Sequence, residues 1–312
     1  MKIYNLKEKF ATSQIEKKDF IDRIHSFHLI LQEFSTEISK TEIEKIEITD
    51  KQVLFHIKNH FGDQHSKFIA NFEDKRDPPL ESFNFNIYEG KDSLMIFEML
   101  KYSDVVFDIG ANIGWYSIQF AKMNESKKIY SFEPIDKIFK KLKDNGKIND
   151  LKNIKYFNNG FSDKNETIEL FYNPELTGSS SIKNLYDNPL QKINCELLKL
   201  DDFTSHNNVK KLDFIKLDVE GAELLVLNGG LQTIKNLKPI LFVELLRKWA
   251  SKFGYHPNDV INILKVHGYK CFITSRKKLI QIFEINDKTI ETNFFFLHAN
   301  KHHKLIEMYN KL

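Results

Sequence analysis

The stretch Val105-Val106-Phe107-Asp108-Ile109-Gly110-Ala111-Asn112-Ile113-Gly114-Trp115 decides the fold. A short apolar run ends in an acid, and a small-residue turn then opens a helical pattern through Tyr116, Ile118, Phe120 and Ala121. Strand, tight turn and helix start in that order mark a buried parallel strand, at whose carboxyl end open α/β sheets bind nucleotide-like ligands. Gly110 lets the backbone turn sharply, and Gly114 lets helix, strand and ligand approach closely. The spacing is D-x-G-x-N-x-G rather than G-x-G-x-x-G. A dinucleotide site offers bare backbone N–H groups to a pyrophosphate, whereas Asp108 stands where that anion would approach. The turn therefore favours a ligand carrying positive charge and disfavours NAD.

Two further blocks extend the pattern. Lys128-Ile129-Tyr130-Ser131-Phe132-Glu133-Pro134 is a second short strand ending in an acid, and Pro134 stops it. Glu133 follows Asp108 by 25 residues, one strand–helix–strand unit. An acid at about 20 residues' remove grips a ribose diol in nucleotide folds. A surface glutamate at a strand end is the plainer alternative, and the pairing with the glycine turn favours the ribose role. In the third block, Leu212 to Glu223, Phe214, Ile215 and Leu217 form a strand, with Asp218, Glu220 and Glu223 at its carboxyl end. Acids in a first helical turn also complement the helix dipole. That explains Glu220 and Glu223 well and Asp218, directly after the strand, less well. S-adenosylmethionine (SAM), with its sulfonium and α-ammonium, is a cationic nucleotide-like ligand of the kind this set suits.

VVFDIGANIGWYSIQFAK, IYSFEP, NGFSD, TGSSSI, LKLDDF, LDFIKLDVEGAELLVLNGG and PILFVEL, in this order, resemble the FkbM-type SAM-dependent methyltransferases. The resemblance runs from about Tyr88 to Leu246 and loosely to His298. It implies a Rossmann-like class I methyltransferase sheet, mostly parallel with an antiparallel closing strand. It also implies SAM as cofactor and O-methylation of a sugar, glycan or other small hydroxylated metabolite. Carried over residue by residue, it assigns Asp108, Gly110, Asn112 and Gly114 to the methionine part of SAM and Glu133 to the ribose. Ser162 and Asp163 fall on the adenine side, and Asp218, Glu220 and Glu223 at the active-site mouth. The family's usual Tyr-Glu-Pro before the first strand is Tyr88-Glu89-Gly90 here.

Methyl transfer needs an aligned hydroxyl and a group to take its proton. Asp218 is the first choice for that base. Glu244, a carboxylate inside the apolar run Pro239 to Leu246, is second because a buried acid must find a partner. His256 is third. Asp218, Glu220 and Glu244 also have the oxygens to hold a divalent cation; the metal-free reading is preferred.

Around this centre, 312 residues suffice for one large or two modest domains. Asp77-Pro78-Pro79 reads as a linker, giving an N-terminal extension over 1–79 and a methyltransferase domain over 80–312. In the extension, Phe20, Ile24, Phe27, Leu31 and Phe34 mark a helix docked on the body, with a homodimer contact as the minority reading. Glu44 to Ile48 and Gln52 to Lys58 mark a hairpin. His56, His60 and His65 lack metal-ligand spacing. Strands are expected near 104–108, 128–133, 153–158, 212–218 and 239–245, alternating with helices. Extra strands at Thr167 to Tyr172 and Cys195 to Leu200 flank the hydroxyl-rich loop Thr177 to Ser181, which the resemblance would close over the site. Closing strands follow at Tyr269 to Thr274, Leu279 to Ile285 and Asn293 to His298.

The net charge of +3, with 46 basic against 43 acidic residues, leaves no basic stripe for nucleic acid. A protein or nucleic-acid acceptor and a non-catalytic nucleotide-binding protein remain as alternatives. No apolar run reaches the ~20 residues of a membrane span. The two cysteines exclude a disulfide framework, and the opening MKIYNLKEKF lacks the apolar core of a signal peptide, so the cytoplasm is expected.

Overall fold

The structure is a computed structural model that describes residues 2–59, 65–185 and 190–311. Its strands are β1 (Ile43–Ile48), β2 (Val53–Ile57), β3 (Ser66–Ile69), β4 (Val105–Ile109), β5 (Lys128–Phe132), β6 (Ile154–Phe157) and β7 (Gly160–Phe161). There follow β8 (Glu166–Tyr172), β9 (Gln191–Leu198), β10 (Phe214–Leu217), β11 (Ile240–Glu244), β12 (Tyr269–Ser275), β13 (Lys278–Ile282) and β14 (Asn293–His298). The central sheet has the order β13-β12-β14-β11-β10-β4-β5-β6. β6, β5, β4, β10 and β11 run parallel, and β14 closes antiparallel against β11. This is the Rossmann-like class I methyltransferase sheet. The chain winds outward from β4 to β6 and then returns to β10, so the direction of winding reverses between β4 and β10. Ligand crevices in open α/β sheets form at that reversal.

Both faces of the sheet are covered, and the apolar residues divide between them. Val106, Phe214, Phe242 and Phe295 join one core with Ile118 and Phe120 of the helix Trp115–Met123. Their neighbours Phe107, Ile215, Val243, Phe294 and Phe296 join the other. Strand alternation thus sends the run Phe294-Phe295-Phe296 to opposite faces. Burial on both sides is why these strands read as continuous apolar runs.

The N-terminal extension is built into the body. β1, β2 and β3 form an antiparallel sheet in which β3, absent from the sequence-based expectation, joins the hairpin. Asn145 Oδ1 accepts the Ile69 amide at 2.9 Å and Asn149 Oδ1 accepts the Lys67 amide at 2.8 Å. Two side chains near the end of the helix Asp136–Ile148 therefore occupy the free edge of β3, where an unpaired strand would otherwise invite a foreign one. Asp77-Pro78-Pro79 is not an exposed linker: it starts the helix Pro78–Phe85, with all three residues buried. Proline pairs open helices as readily as they mark loops.

The helix expected around Asp19 to Phe34 spans Lys17–Ile38 and has no buried residue. It is held near its ends by Phe20 stacked on Phe10 (4.5 Å) and Phe34 on Phe83 (4.6 Å). His56 bonds Glu47 and His65 pairs with Glu44, while His60 lies outside the described residues. Among the described residues no helix is long and apolar enough to cross a membrane.

Candidate active site

The carboxyl ends of β4, β5, β10 and β11 open into one cavity of about 350 Å³. Of the two glycines after β4, Gly110 lines it and Gly114 stands behind it. Gly110 has φ +77°, and a Cβ there would stand 1.8 Å from the Asp218 carbonyl oxygen, so only glycine lets the turns after β4 and β10 pass. Gly114, at φ +87°, caps the helix Trp115–Met123, and a Cβ would meet Leu142 at 2.5 Å. Between them Asn112 takes the left-handed conformation (φ 49°) and donates its amide to Glu133 Oε2 at 3.1 Å.

Glu133 ends β5 and lines the cavity. Its other oxygen accepts the Ile135 amide at 3.0 Å, so both oxygens are fixed while keeping lone pairs for a ligand. Burial pushes its pKa up to about 7, against the two amides that favour the ionised form. Asp108 is placed differently from the sequence-based expectation. It does not line the cavity but lies beneath the turn, 1% exposed, where Oδ2 accepts the Ser117 hydroxyl at 2.6 Å. Ser117 is in turn held by Ser131, again at 2.6 Å. Ser162 and Asp163 also sit behind the cavity wall: Ser162 is buried against Gly229, Asp163 is exposed, and the preceding Gly160 and Phe161 line the space.

Lys216, missed by the sequence reading, joins the two halves of the site. It is a buried cation in the middle of β10, with Nζ 3.0 Å from Asp218 Oδ2, 3.7 Å from Asp108 Oδ1 and 3.3 Å from the Gly110 carbonyl. Burial opposes its charge, yet Asp218, Asp108 and Glu89 together hold its pKa above the ordinary lysine range. A charged residue inside an apolar parallel strand rarely stands without a partner. That argument, applied to Glu244, would have found Lys216 as well.

Asp218 stands just past β10, the fourth parallel strand, beside β4, the first. One carboxylate oxygen from each of Asp218, Glu220 and Glu244 lies within 4.8 Å of the others. Burial and then Asp218 raise the carboxyl pKa of both Glu220 and Glu244 well above the usual range. Glu89, a second residue the sequence reading passed over, joins this group. It sits at φ 52° before the helix Gly90–Leu100, accepts the Tyr116 hydroxyl, and is pushed by burial, then by Asp218, to about 7. Glu223 faces the other way. Its oxygens accept the Val219 and Gly221 amides and the Tyr255 hydroxyl, which makes it the support of the turn rather than part of the mouth. His256 is an exposed helix cap in a capping box with Asp259, and it does not line the cavity.

The loop Thr177 to Ser181 roofs the cavity. Asp74 accepts both the amide (3.0 Å) and the hydroxyl of Thr177, whose Oγ1 also lies 3.4 Å from Asn112 Oδ1. At the other end Ser181 Oγ donates to the Glu220 carbonyl at 2.7 Å. Asp74 belongs to the segment before Pro78, and Arg76 and Glu81 line the cavity too. The extension therefore reaches the side of the site where Asn112 stands.

A parallel sheet with a glycine turn after its first strand, an acid after the second and a carboxylate after the fourth has the layout of the class I methyltransferase fold. The chain belongs to the FkbM methyltransferase family: residues 108–271, just over half of it, match the Methyltransferase FkbM domain. It is 31% identical over 153 residues to methyltransferase sdnD of Sordaria araneosa, covering 40% of this chain and 59% of that protein. It is 28% identical over 149 residues to the 2-O-methyltransferase NoeI of Sinorhizobium fredii, covering 42% and 58%. The chain thus spans a little under three fifths of the curated relatives it matches. A solved structure of methyltransferase FkbM from Methylobacillus flagellatus KT aligns with a TM-score of 0.40 at 16% identity, over 62% of this chain and 43% of that one.

Proposed function

We propose that the protein transfers a methyl group from SAM to a hydroxyl of a sugar, glycan or other small hydroxylated metabolite, in the cytoplasm. One observation carries the reading: the glycine turn with Glu133 and the carboxylate Asp218 open into the same cavity, joined by Lys216. The residues fit the cofactor. Glu133 presents fixed acceptor oxygens for two ribose hydroxyls beside the tight Gly110 turn, and Asp218, Glu220 and Glu244 line the same cavity, where the cationic end would lie. Asp108 favours that end from behind the turn, through the field of its charge. Bound SAM would supply a methyl group already activated on a sulfonium.

What remains for the chain is to place the acceptor oxygen in line and take its proton. Asp218, held by the Lys216 ammonium, is the acceptor of that proton, and Glu244 is the second group within reach. Alignment contributes several kcal/mol in such displacements, and a positioned base contributes about 10²–10⁴-fold. Bound SAM would give up its methyl to the acceptor oxygen and keep the carbon–sulfur electrons on sulfur, while Asp218 takes the proton that the acceptor hydroxyl loses.

The test is an acceptor screen with methyl-labelled SAM against hydroxylated sugars, small metabolites, protein and nucleic acid. Label in a sugar or small hydroxylated compound is the expected result. Label confined to protein or nucleic acid would contradict the acceptor class.

A further inference from the structure

We propose that Asp218, Glu220 and Glu244 bind one divalent cation of the oxygen-preferring kind, magnesium or manganese, on the acceptor side of the cavity. Their ligand oxygens lie within 4.8 Å of one another, the spread of oxygens around a cation at about 2.0–2.4 Å from each. An independent observation comes from Glu220. Its Oε2 is shut off from solvent and accepts no hydrogen bond, although the residue is among those that line the cavity. A buried carboxylate oxygen without a donor costs free energy. The nearby cations are already engaged: Lys216 bonds Asp218 and Gly110, and Arg76 bonds Glu81.

Nor is Glu220 free to swing into water. Its carbonyl accepts Ser181 Oγ, and the amides on both sides of it, Val219 and Gly221, are held by Glu223. The backbone therefore presents this carboxylate to Asp218 and Glu244, at the ends of β10 and β11. A cation among the three would supply the Glu220 carboxylate with the partner it lacks and offset their mutual repulsion.

Its role rests on the methyl-transfer reading above. A hard cation at this point binds two neighbouring oxygens of an acceptor, which narrows the substrate class to compounds with adjacent hydroxyls. It also lowers the pKa of the hydroxyl it holds.

The experiment titrates the full chain with Mn²⁺ in the presence of S-adenosylhomocysteine (SAH), following free Mn²⁺ by electron paramagnetic resonance. The expected result is one bound Mn²⁺ per chain, weakened roughly 10-fold or more in Glu220→Gln and in Glu244→Gln, with SAH affinity kept within a few-fold in both. Failure of the SAH-binding protein to take up Mn²⁺ overturns the proposal, as does equal Mn²⁺ binding in the two folded variants. Mn²⁺ binding that depends on Glu220 in a chain that ignores SAH would instead refute the methyl-transfer reading and leave the cation site standing.

Discussion

Lys216 Nζ stands 3.0 Å from Asp218 Oδ2, so the one carboxylate at the end of the fourth parallel strand is charge-paired from within its own strand. The same ammonium lies 3.7 Å from Asp108 Oδ1 under the first strand. The turns after the first and the fourth parallel strands thus share a cation, and its loss should affect both.

Lys216→Met keeps most of the volume and removes the charge. Asp108, 1% exposed, would then be buried without its counter-ion. Removing one partner of a buried pair costs about 3–5 kcal/mol. Denaturant unfolding should show a loss of that order, and unchanged stability would mean that the buried charges are compensated elsewhere.

Asp218→Asn keeps the shape and loses proton-accepting ability. Turnover should fall about 10²-fold or more while SAH affinity stays within a few-fold. A cap residue would behave differently, because asparagine caps nearly as well. If turnover survives in the folded variant, the proton acceptor is Glu244.

The roof is latched by the extension, through the paired bonds of Thr177 to Asp74. Asp74→Ala should raise the KM for SAM by roughly 10-fold, the worth of a hydrogen bond to a charged group, with a smaller effect on kcat. Thr177→Val should do the same and Thr177→Ser should not, since serine keeps the hydroxyl. Equal KM values across all three would show that the roof holds without the latch.

Three buried carboxyls, Glu89, Glu133 and Glu223, are raised by burial to about 7 from an ordinary value of 4.5. Between those values the folded chain holds protons that the unfolded chain has released. Stability of the ligand-free protein should therefore fall as pH rises from about 4.5 through about 7. Ribose hydroxyls donate to an ionised Glu133, so SAH affinity should rise over the upper part of the same window. Calorimetry and thermal melts across this range check both slopes, and a melting temperature that climbs toward pH 7 would contradict the first.

The sheet was legible because its parallel strands are buried on both faces, and runs such as Phe214-Ile215 and Leu241-Phe242-Val243 leave little else to be. The glycine turn was legible because Gly110 tolerates no Cβ beside Asp218. Less visible was anything that depends on pairing across long stretches of chain. Lys216 and Glu89 matter through partners on other elements, and Asp74 through a loop 103 residues away. Asp108 and Ser162 stand at the expected motif positions, yet Asp108 is covered by the turn above it and held by Ser117, and Ser162 is buried against Gly229. Such covering comes from packing between distant segments, which a motif alone does not register.

The most direct test of the cofactor assignment is calorimetric titration of the parent chain and of Glu133→Ala with SAM, SAH and NAD. Micromolar-range binding of SAM and SAH is expected, with no heat from NAD and a loss of about 1.5–3 kcal/mol in the variant as the charged ribose contacts disappear. Binding of NAD without any response to SAM, or a folded Glu133→Ala that binds SAM as the parent does, would contradict it.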